Sequence, residues 1–329
     1  MEKIRVAMVG CGGFQRYRVG NLLQVKEAEI VALVDPSDEQ MGQMREQHPK
    51  TANAPGFKDS KEMLDTVKPD AIMIATPHTQ HVDQILEGLA AGVHVCCEKP
   101  LVTSVTDAHR VIAARDKAGK VGMVSYQRHY QAEFRYIRAK IQSGEAGPVQ
   151  YIQALNDQAW LSGTKGTWRQ LMSLSGGGQL NDTGSHLVDI LLWASMCSAS
   201  KVAAFCDNKG TEVDINSALS IMFTNGAMGN LAIVGDGMGW HEDITFWCEN
   251  MAFFVRDGKL TIVERNGNRL KCENLSGGGT PDRNFIMACL GKEECESPFE
   301  CGLEVIRLTE AAWKSSDQGG MPVEVASLG

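Results

Sequence analysis

The sequence is short of several things, and each shortage narrows what the chain can be. Its ten cysteines stand at positions 11, 96, 97, 197, 206, 248, 272, 289, 295 and 301, with no paired C-x-x-C spacing. With no secretion signal either, reduced thiols are expected, several of them buried as small apolar residues. No apolar stretch is long enough to span a bilayer. The first strand-like run, Ile4–Val9, starts almost at Met1 and leaves no room for a signal peptide, so a cytoplasmic protein is expected. Basic clusters are missing. Lys and Arg number 32 against 40 acids, a net charge of −8, which makes nucleic acid and anionic membrane poor partners. No low-complexity tract or internal repeat occurs. What is present is ordinary for a soluble globular protein: 329 residues, 43% hydrophobic and 22% charged, enough chain for two domains.

The first third alternates strand and helix patterns. Apolar runs at Ile4–Val9, Ile30–Val34, Ala71–Ala75, Val93–Cys97 and Val121–Tyr126 are separated by helical patterns over Phe14–Val25, Asp38–His48, Thr79–Ala91 and Ser104–Ala118. Strands apolar on both faces, alternating with helices, predict a buried parallel sheet. After a helix near Ala132–Ser143 the pattern changes. Strand-like runs then follow in series at Val149–Leu155, Val202–Cys206, Ser217–Phe223, Met228–Val234, Ile244–Trp247, Met251–Val255 and Leu260–Glu264. Asn225-Gly226, Asp257-Gly258 and Asn266-Gly267 are hairpin signals among them. Phe299–Ser315 has helical periodicity. The fold class is therefore α/β: an N-terminal domain over 1–124 with a buried parallel sheet, then an α+β domain over 125–329 with a largely antiparallel open sheet.

Gly10-Cys11-Gly12-Gly13-Phe14 joins the first strand to the first helix. Gly10 permits the tight turn, Gly12 lets the backbone approach a pyrophosphate, and the helix start offers N–H groups to it. The third glycine of G-x-G-x-x-G is replaced by Gln15, so local adjustment of the helix packing is expected. The second strand ends at Asp35. An acid there can accept hydrogen bonds from ribose hydroxyls and would repel a 2′-phosphate. No Arg or Lys occurs within Asp35-Pro36-Ser37-Asp38-Glu39, so NAD is favoured over NADP. A plain strand-end or capping acid is the alternative for Asp35.

Two further strand ends carry polar groups. Glu98-Lys99-Pro100 follows Val93–Cys97, where ligands bind in an open parallel sheet. Lys99 there could bind a substrate hydroxyl or take its proton; equally, it could be a surface Lys paired with Glu98. Thr76-Pro77-His78-Thr79-Gln80-His81 should also pass near the cofactor. The His78/His81 spacing suggests a metal only weakly, because no third ligand is evident, and no metal site is expected. In the second domain, Thr183–Met196 reads as a helix that places Asp182, His186 and Asp189 on one face. Their ordinary readings are an N-cap, a half-buried histidine and that histidine's partner. Beside Lys99 and a dinucleotide turn, they read instead as an acid–base set. Trp168 and Arg169 could line a sugar pocket, with Trp160 a weaker candidate. Arg128 could meet the cofactor or bridge the domains.

Gly10-Cys11-Gly12-Gly13, Glu98-Lys99-Pro100 and Gly176-Gly177-Gly178…Asp182…Gly184…His186…Asp189 together resemble the Gfo/Idh/MocA family, which includes glucose–fructose oxidoreductase and inositol dehydrogenase. The resemblance runs essentially end to end, through the Asn284-Phe285 region and the final helix. It implies a Rossmann domain and a second domain whose open sheet often forms a homodimer or homotetramer interface. It also implies that Lys99, Asp182 and His186 match the family's catalytic Lys, Asp and His. Cofactor contacts are expected from Gly10, Gly12, Gly13, Phe14, Asp35, Thr76, Pro77, His81, Glu98 and Lys99, and substrate contacts from Trp168, Arg169, Asp182 and His186. The implied activity is NAD-dependent oxidation of a sugar, cyclitol or sugar derivative. A glycosidase that keeps NAD bound and oxidises its sugar transiently is a competing reading of the same residues. A non-catalytic dinucleotide sensor and a biliverdin- or dihydrodiol-type reductase are further ones.

Overall fold

The computed structural model describes residues 3–272 and 275–325. In chain order the elements are β1 (Ile4–Val9), α1 (Gly13–Leu22), β2 (Ala28–Val34), α2 (Asp38–Gln47), β3 (Gly56–Phe57), α3 (Ser60–Val67), β4 (Ala71–Ile74), α4 (His81–Ala90), β5 (His94–Cys97), α5 (Val105–Ala118) and β6 (Gly122–Val124). They continue with α6 (Ala132–Gln142), β7 (Val149–Asp157), α7 (Trp160–Gly163), α8 (Met172–Ser175), α9 (Thr183–Ser195), β8 (Ala199–Asp207), β9 (Asn216–Phe223), β10 (Met228–Val234), β11 (His241–Cys248), β12 (Met251–Arg256), β13 (Lys259–Glu264), β14 (Arg269–Lys271), α10 (Pro281–Cys289), α11 (Phe299–Asp317) and β15 (Val323–Glu324). The helix expected from Thr79 opens as a 3₁₀ turn over His78–Gln80, after Pro77. The short elements β3, α3 and α10 have no counterpart in the sequence reading; α3 and α10 nevertheless carry local caps, Asp59 accepting from the Glu62 N–H and Thr280 from the Arg283 N–H.

The chain forms two compact units. The first comprises Met1–Val102, Thr106–Tyr126 and Gly279–Gly302; the second comprises Thr103–Val105, Gln127–Gly278 and Leu303–Gly329. The first unit's sheet has the order β3-β2-β1-β4-β5-β6, with all pairings parallel. This is a Rossmann sheet. The strand order reverses between β1 and β4, and the crevice beyond the carboxyl ends there is where such sheets bind ligands. β1, β4 and β5 lie side by side and end at Val9, Ile74 and Cys97, so the Gly10, Thr76 and Lys99 turns all leave the same edge. Helical packing covers the strands, and β1 and β4 are buried almost throughout.

A single cut near residue 124 does not describe this unit, because Gly279–Gly302 packs into it. The Val124 N–H donates to the Ser297 carbonyl (2.9 Å), Met123 bridges Pro298, and Arg18 of α1 pairs with Asp282 of α10 (2.8 Å). These partners are too far apart in sequence for periodicity to join them.

The second unit holds a nine-stranded sheet, β14-β13-β12-β11-β7-β10-β9-β8-β15, antiparallel except where β7 and β10 run parallel. Alternation sorts its faces. Ile152, Ala154, Leu231, Ile233, Leu219, Ile221, Ile244, Phe246, Phe253 and Val255 are buried. Tyr151, Trp247 and Phe254 stand on the opposite face, where Phe205 is 65% exposed and Met222 and Met228 are exposed as well. α9, apolar along most of its length, lies almost wholly buried. All ten cysteines are free thiols, and burial pushes Cys11, Cys96 and Cys248 up to about 12.

Candidate active site

The dinucleotide turn follows from what each position tolerates. Gly10 has φ +85°, and a Cβ there would lie 2.5 Å from the Ala75 carbonyl oxygen, so the residue must be glycine. Gly12 is the N-cap of α1, extended and without a side-chain cap, and nothing lies within 4 Å of where its Cβ would be. The space before the first N–H groups of α1 is thus open to an anion. Gln15 resolves the missing third glycine. Its side chain is buried, and Nε2 donates to the Met73 carbonyl (2.8 Å) and to that of Val9 (3.4 Å), so the amide fills the helix–sheet gap by bonding to strand carbonyls. Asp35 accepts from the Cys11 N–H through Oδ2 (2.8 Å) and from the Ser37 N–H through Oδ1 (2.8 Å), which ties the β2 end to the glycine turn. Phe14 is exposed on α1, next to Tyr17.

The second turn is built around buried charge. Arg18, only 2% exposed, forms an ion pair with Glu98 Oε1 (3.1 Å), pairs with Asp282 Oδ1 (2.8 Å) and reaches Cys96 Sγ (3.2 Å). Glu98 Oε2 accepts the backbone N–H of Lys99 (3.3 Å). Burial pushes the Glu98 carboxyl up, against the pull of Arg18 and Lys99. Glu98 thus binds Arg18 and the Lys99 turn from a buried position rather than at the surface. Lys99 itself is half-buried at the end of β5. The His81 ring is completely buried, and its two nitrogens face the carbonyls of Pro100 (2.8 Å) and Thr76 (3.1 Å). In its neutral form the ring donates to one of these carbonyls and packs between the two strand-end turns. Thr76 donates to Gln84 (2.6 Å) at the start of the same crevice edge.

In the second unit, Asp182 stands at the N-cap position of α9 but makes no side-chain capping bond. Its Oδ2 accepts from Trp160 Nε1 (2.9 Å) and Arg169 Nε (3.0 Å) instead. Trp160 is core, packed with Val213 and Ile215, yet its N–H serves Asp182; the sequence offered it only as a weaker pocket candidate. The Arg169 guanidinium lies 4.6 Å from the Trp168 ring, so Trp168, Arg169 and Asp182 are linked in series. His186, one helical turn into α9, is 9% exposed. Asp189 belongs to another partner. Its carboxylate accepts from His129 Nε2 at 2.9 Å and 3.0 Å, and His129 stacks on Trp193 at 4.3 Å. Burial raises the Asp189 carboxyl, opposed by His129. No spacing in the sequence announces the His129 pairing, which arises only when the 3₁₀ turn Gln127–Tyr130, just before α6, packs against α9. Arg128 is bound to Glu242 of β11 (2.5 Å) inside this unit.

Family comparison agrees with this construction. Residues 4–126 match the model for the oxidoreductase family with an NAD-binding Rossmann fold, and residues 134–249 match the GFO/IDH/MocA C-terminal domain. D-glucoside 3-dehydrogenase of Escherichia coli is 28% identical over 193 residues, 58% of this chain and 53% of that protein. Myo-inositol 2-dehydrogenase of Thermotoga maritima is 24% identical over 144 residues, 44% of this chain and 42% of the relative. The chain thus spans about half the length of the curated relatives it matches. A crystal structure of the WlbA dehydrogenase from Bordetella pertussis in complex with NADH and UDP-GlcNAcA superimposes with a TM-score of 0.86 at 24% identity, covering 98% of each chain. The chain belongs to the Gfo/Idh/MocA oxidoreductase family, with its NAD-binding Rossmann fold and characteristic second domain.

Proposed function

We propose that the protein is an NAD-dependent dehydrogenase acting on a CH–OH group of a sugar, cyclitol or sugar derivative. The observation that carries this reading is Asp182. A carboxylate at a helix start would ordinarily cap it, yet this one is held by Trp160 and Arg169, one turn before His186. This supports a role for Asp182 toward a ligand rather than toward its own helix.

The open space before Gly12 fits a pyrophosphate, and Asp35 fits the adenosine ribose hydroxyls while opposing a 2′-phosphate. Gly10, Gly12, Gly13, Asp35 and the Thr76-Pro77 turn would hold the cofactor. Nicotinamide, when bound, supplies the hydride acceptor or donor. Lys99 or His186 takes the proton from the substrate hydroxyl, and the other of the two holds the oxygen. Asp182 orients His186 or accepts from a neighbouring hydroxyl. Trp168 and Arg169 suit the apolar face and the hydroxyls of a sugar. The dehydrogenases of glucosides and inositol among the relatives support a polyhydroxylated substrate. The exposed Phe205, Met222 and Met228 form the sheet face that a second copy would cover in a homodimer or homotetramer.

The test is NADH formation from NAD+ with a panel of free sugars, inositols and sugar acids, with Lys99→Ala run beside the native protein. Turnover that falls by about 10²–10⁴-fold in the variant is expected. Bound NAD+ with no NADH formation on any alcohol, but with cleavage of aryl glycosides, would replace this reading with the redox-cycling glycosidase.

A further inference from the structure

The three-glycine run is folded around one carboxylate that no motif includes. Asp214, between β8 and β9, is buried. Its Oδ1 accepts the Gly178 N–H (2.9 Å) and the Trp313 Nε1–H (2.9 Å), and its Oδ2 accepts the Leu180 N–H (2.8 Å). Its own carbonyl accepts the Gln179 N–H (2.8 Å). A Cβ on Gly178 would lie 1.8 Å from that carbonyl oxygen, so only glycine lets the two chain segments approach this closely. Three consecutive N–H groups, 178 to 180, are therefore satisfied by one residue.

The next bonds run from this loop into α9. The Asp182 N–H donates to the Gly178 carbonyl (3.0 Å), and the Gly184 N–H donates to the Gln179 carbonyl (2.8 Å). Two of the three residues that Asp214 holds by their N–H groups, Gly178 and Gln179, thus hold by their carbonyls a residue at the head of α9. Asp182 and His186 are fixed at that head. Burial raises the Asp214 carboxyl while the N–H donors oppose it, which is the signature of a carboxylate kept for its hydrogen bonds.

We propose that Asp214 is a positioning residue for the acid–base pair: it sets the path of Gly178–Leu180 and so the placement of Asp182 and His186. This rests on the reading of that pair as catalytic. Asp214→Asn keeps the shape but turns one acceptor into a donor facing an N–H, so it should lose part of the cradle. Trp313→Phe removes one donor and leaves both backbone bonds.

The experiment combines three readouts on folded protein: kcat, KM for NAD+, and the His186 ring resonances assigned with His186→Gln. Asp214→Asn should lower kcat by about 10–100-fold, leave KM for NAD+ within about twofold, and move the His186 resonances; Trp313→Phe should do the same to a smaller degree. A purely structural Asp214 would lower the unfolding temperature while kcat and the His186 resonances stay in place, and that result overturns the proposal. Should the native protein turn over no substrate of the panel, the His186 resonances alone decide the positioning role. Failure of the catalytic reading is registered separately, by His186→Gln leaving turnover intact.

Discussion

Single residues show where local chemistry is legible and where it is not. Gln15 breaks the glycine fingerprint in the sequence, and the structure shows why the break is tolerated: a buried amide spans to the Met73 and Val9 carbonyls that a glycine would have left to helix packing. Asp35 is the residue on which the proposed cofactor choice turns. Its two oxygens take the Cys11 and Ser37 N–H groups, which aims the carboxylate along the cofactor edge of the glycine turn. On the proposed reading, Asp35→Ser would remove the ribose acceptor and the charge that opposes a 2′-phosphate. NADH affinity should weaken by about 10-fold or more, and the NADH/NADPH affinity ratio should narrow. Titration of nicotinamide fluorescence reads both. An unchanged ratio would remove Asp35 from cofactor discrimination.

Elements determine how those residues are presented. β1, β4 and β5 deliver three turns to one edge, and His81, at the start of α4, ties two of them by facing the Thr76 and Pro100 carbonyls. Burial lowers the His81 pKa from its ordinary 6.5, against the pull of the Pro100, Thr76 and Leu101 carbonyls. The sign follows directly. Below about 6.5 the unfolded chain binds a proton at His81 that the folded chain does not, so folding stability falls as pH drops through that value. His81 contributes a loss of up to about 1.4 kcal/mol per pH unit. His94, also lowered by burial, adds to it. Unfolding midpoints between pH 7.5 and about 5 should show this slope, shallower in His81→Gln. An equal slope in the variant would place the titration elsewhere.

At the scale of the whole molecule, the dinucleotide unit is discontinuous. Gly279–Gly302 supplies Asp282 to Arg18, Ser297 to Val124, and the Phe299 ring against Gly122. Removing that segment leaves Arg18 with one of its two buried acids, a loss on the scale of about 3–5 kcal/mol for a broken buried ion pair. A fragment of residues 1–126 should therefore be only partly folded and bind NADH far more weakly than the full chain. Circular dichroism and NADH fluorescence test this. A cooperatively folded fragment with full affinity would show that the late segment is dispensable.

Sequence alone determined the parallel and antiparallel halves, the glycine turn with its acid, and the candidates Lys99, Asp182 and His186. Each of these depends on local periodicity or on position at a strand or helix end, and backbone hydrogen bonding makes such patterns readable. Tertiary structure alone decided the partners. Trp160 and Arg169 hold Asp182, Asp214 (itself bonded by Trp313) holds the glycine run, His129 takes Asp189 from His186, and Asp282 gives Arg18 a second buried acid. These pairs join segments whose meeting depends on the path of the whole chain. Buried polar groups must be satisfied by whatever that path brings within reach.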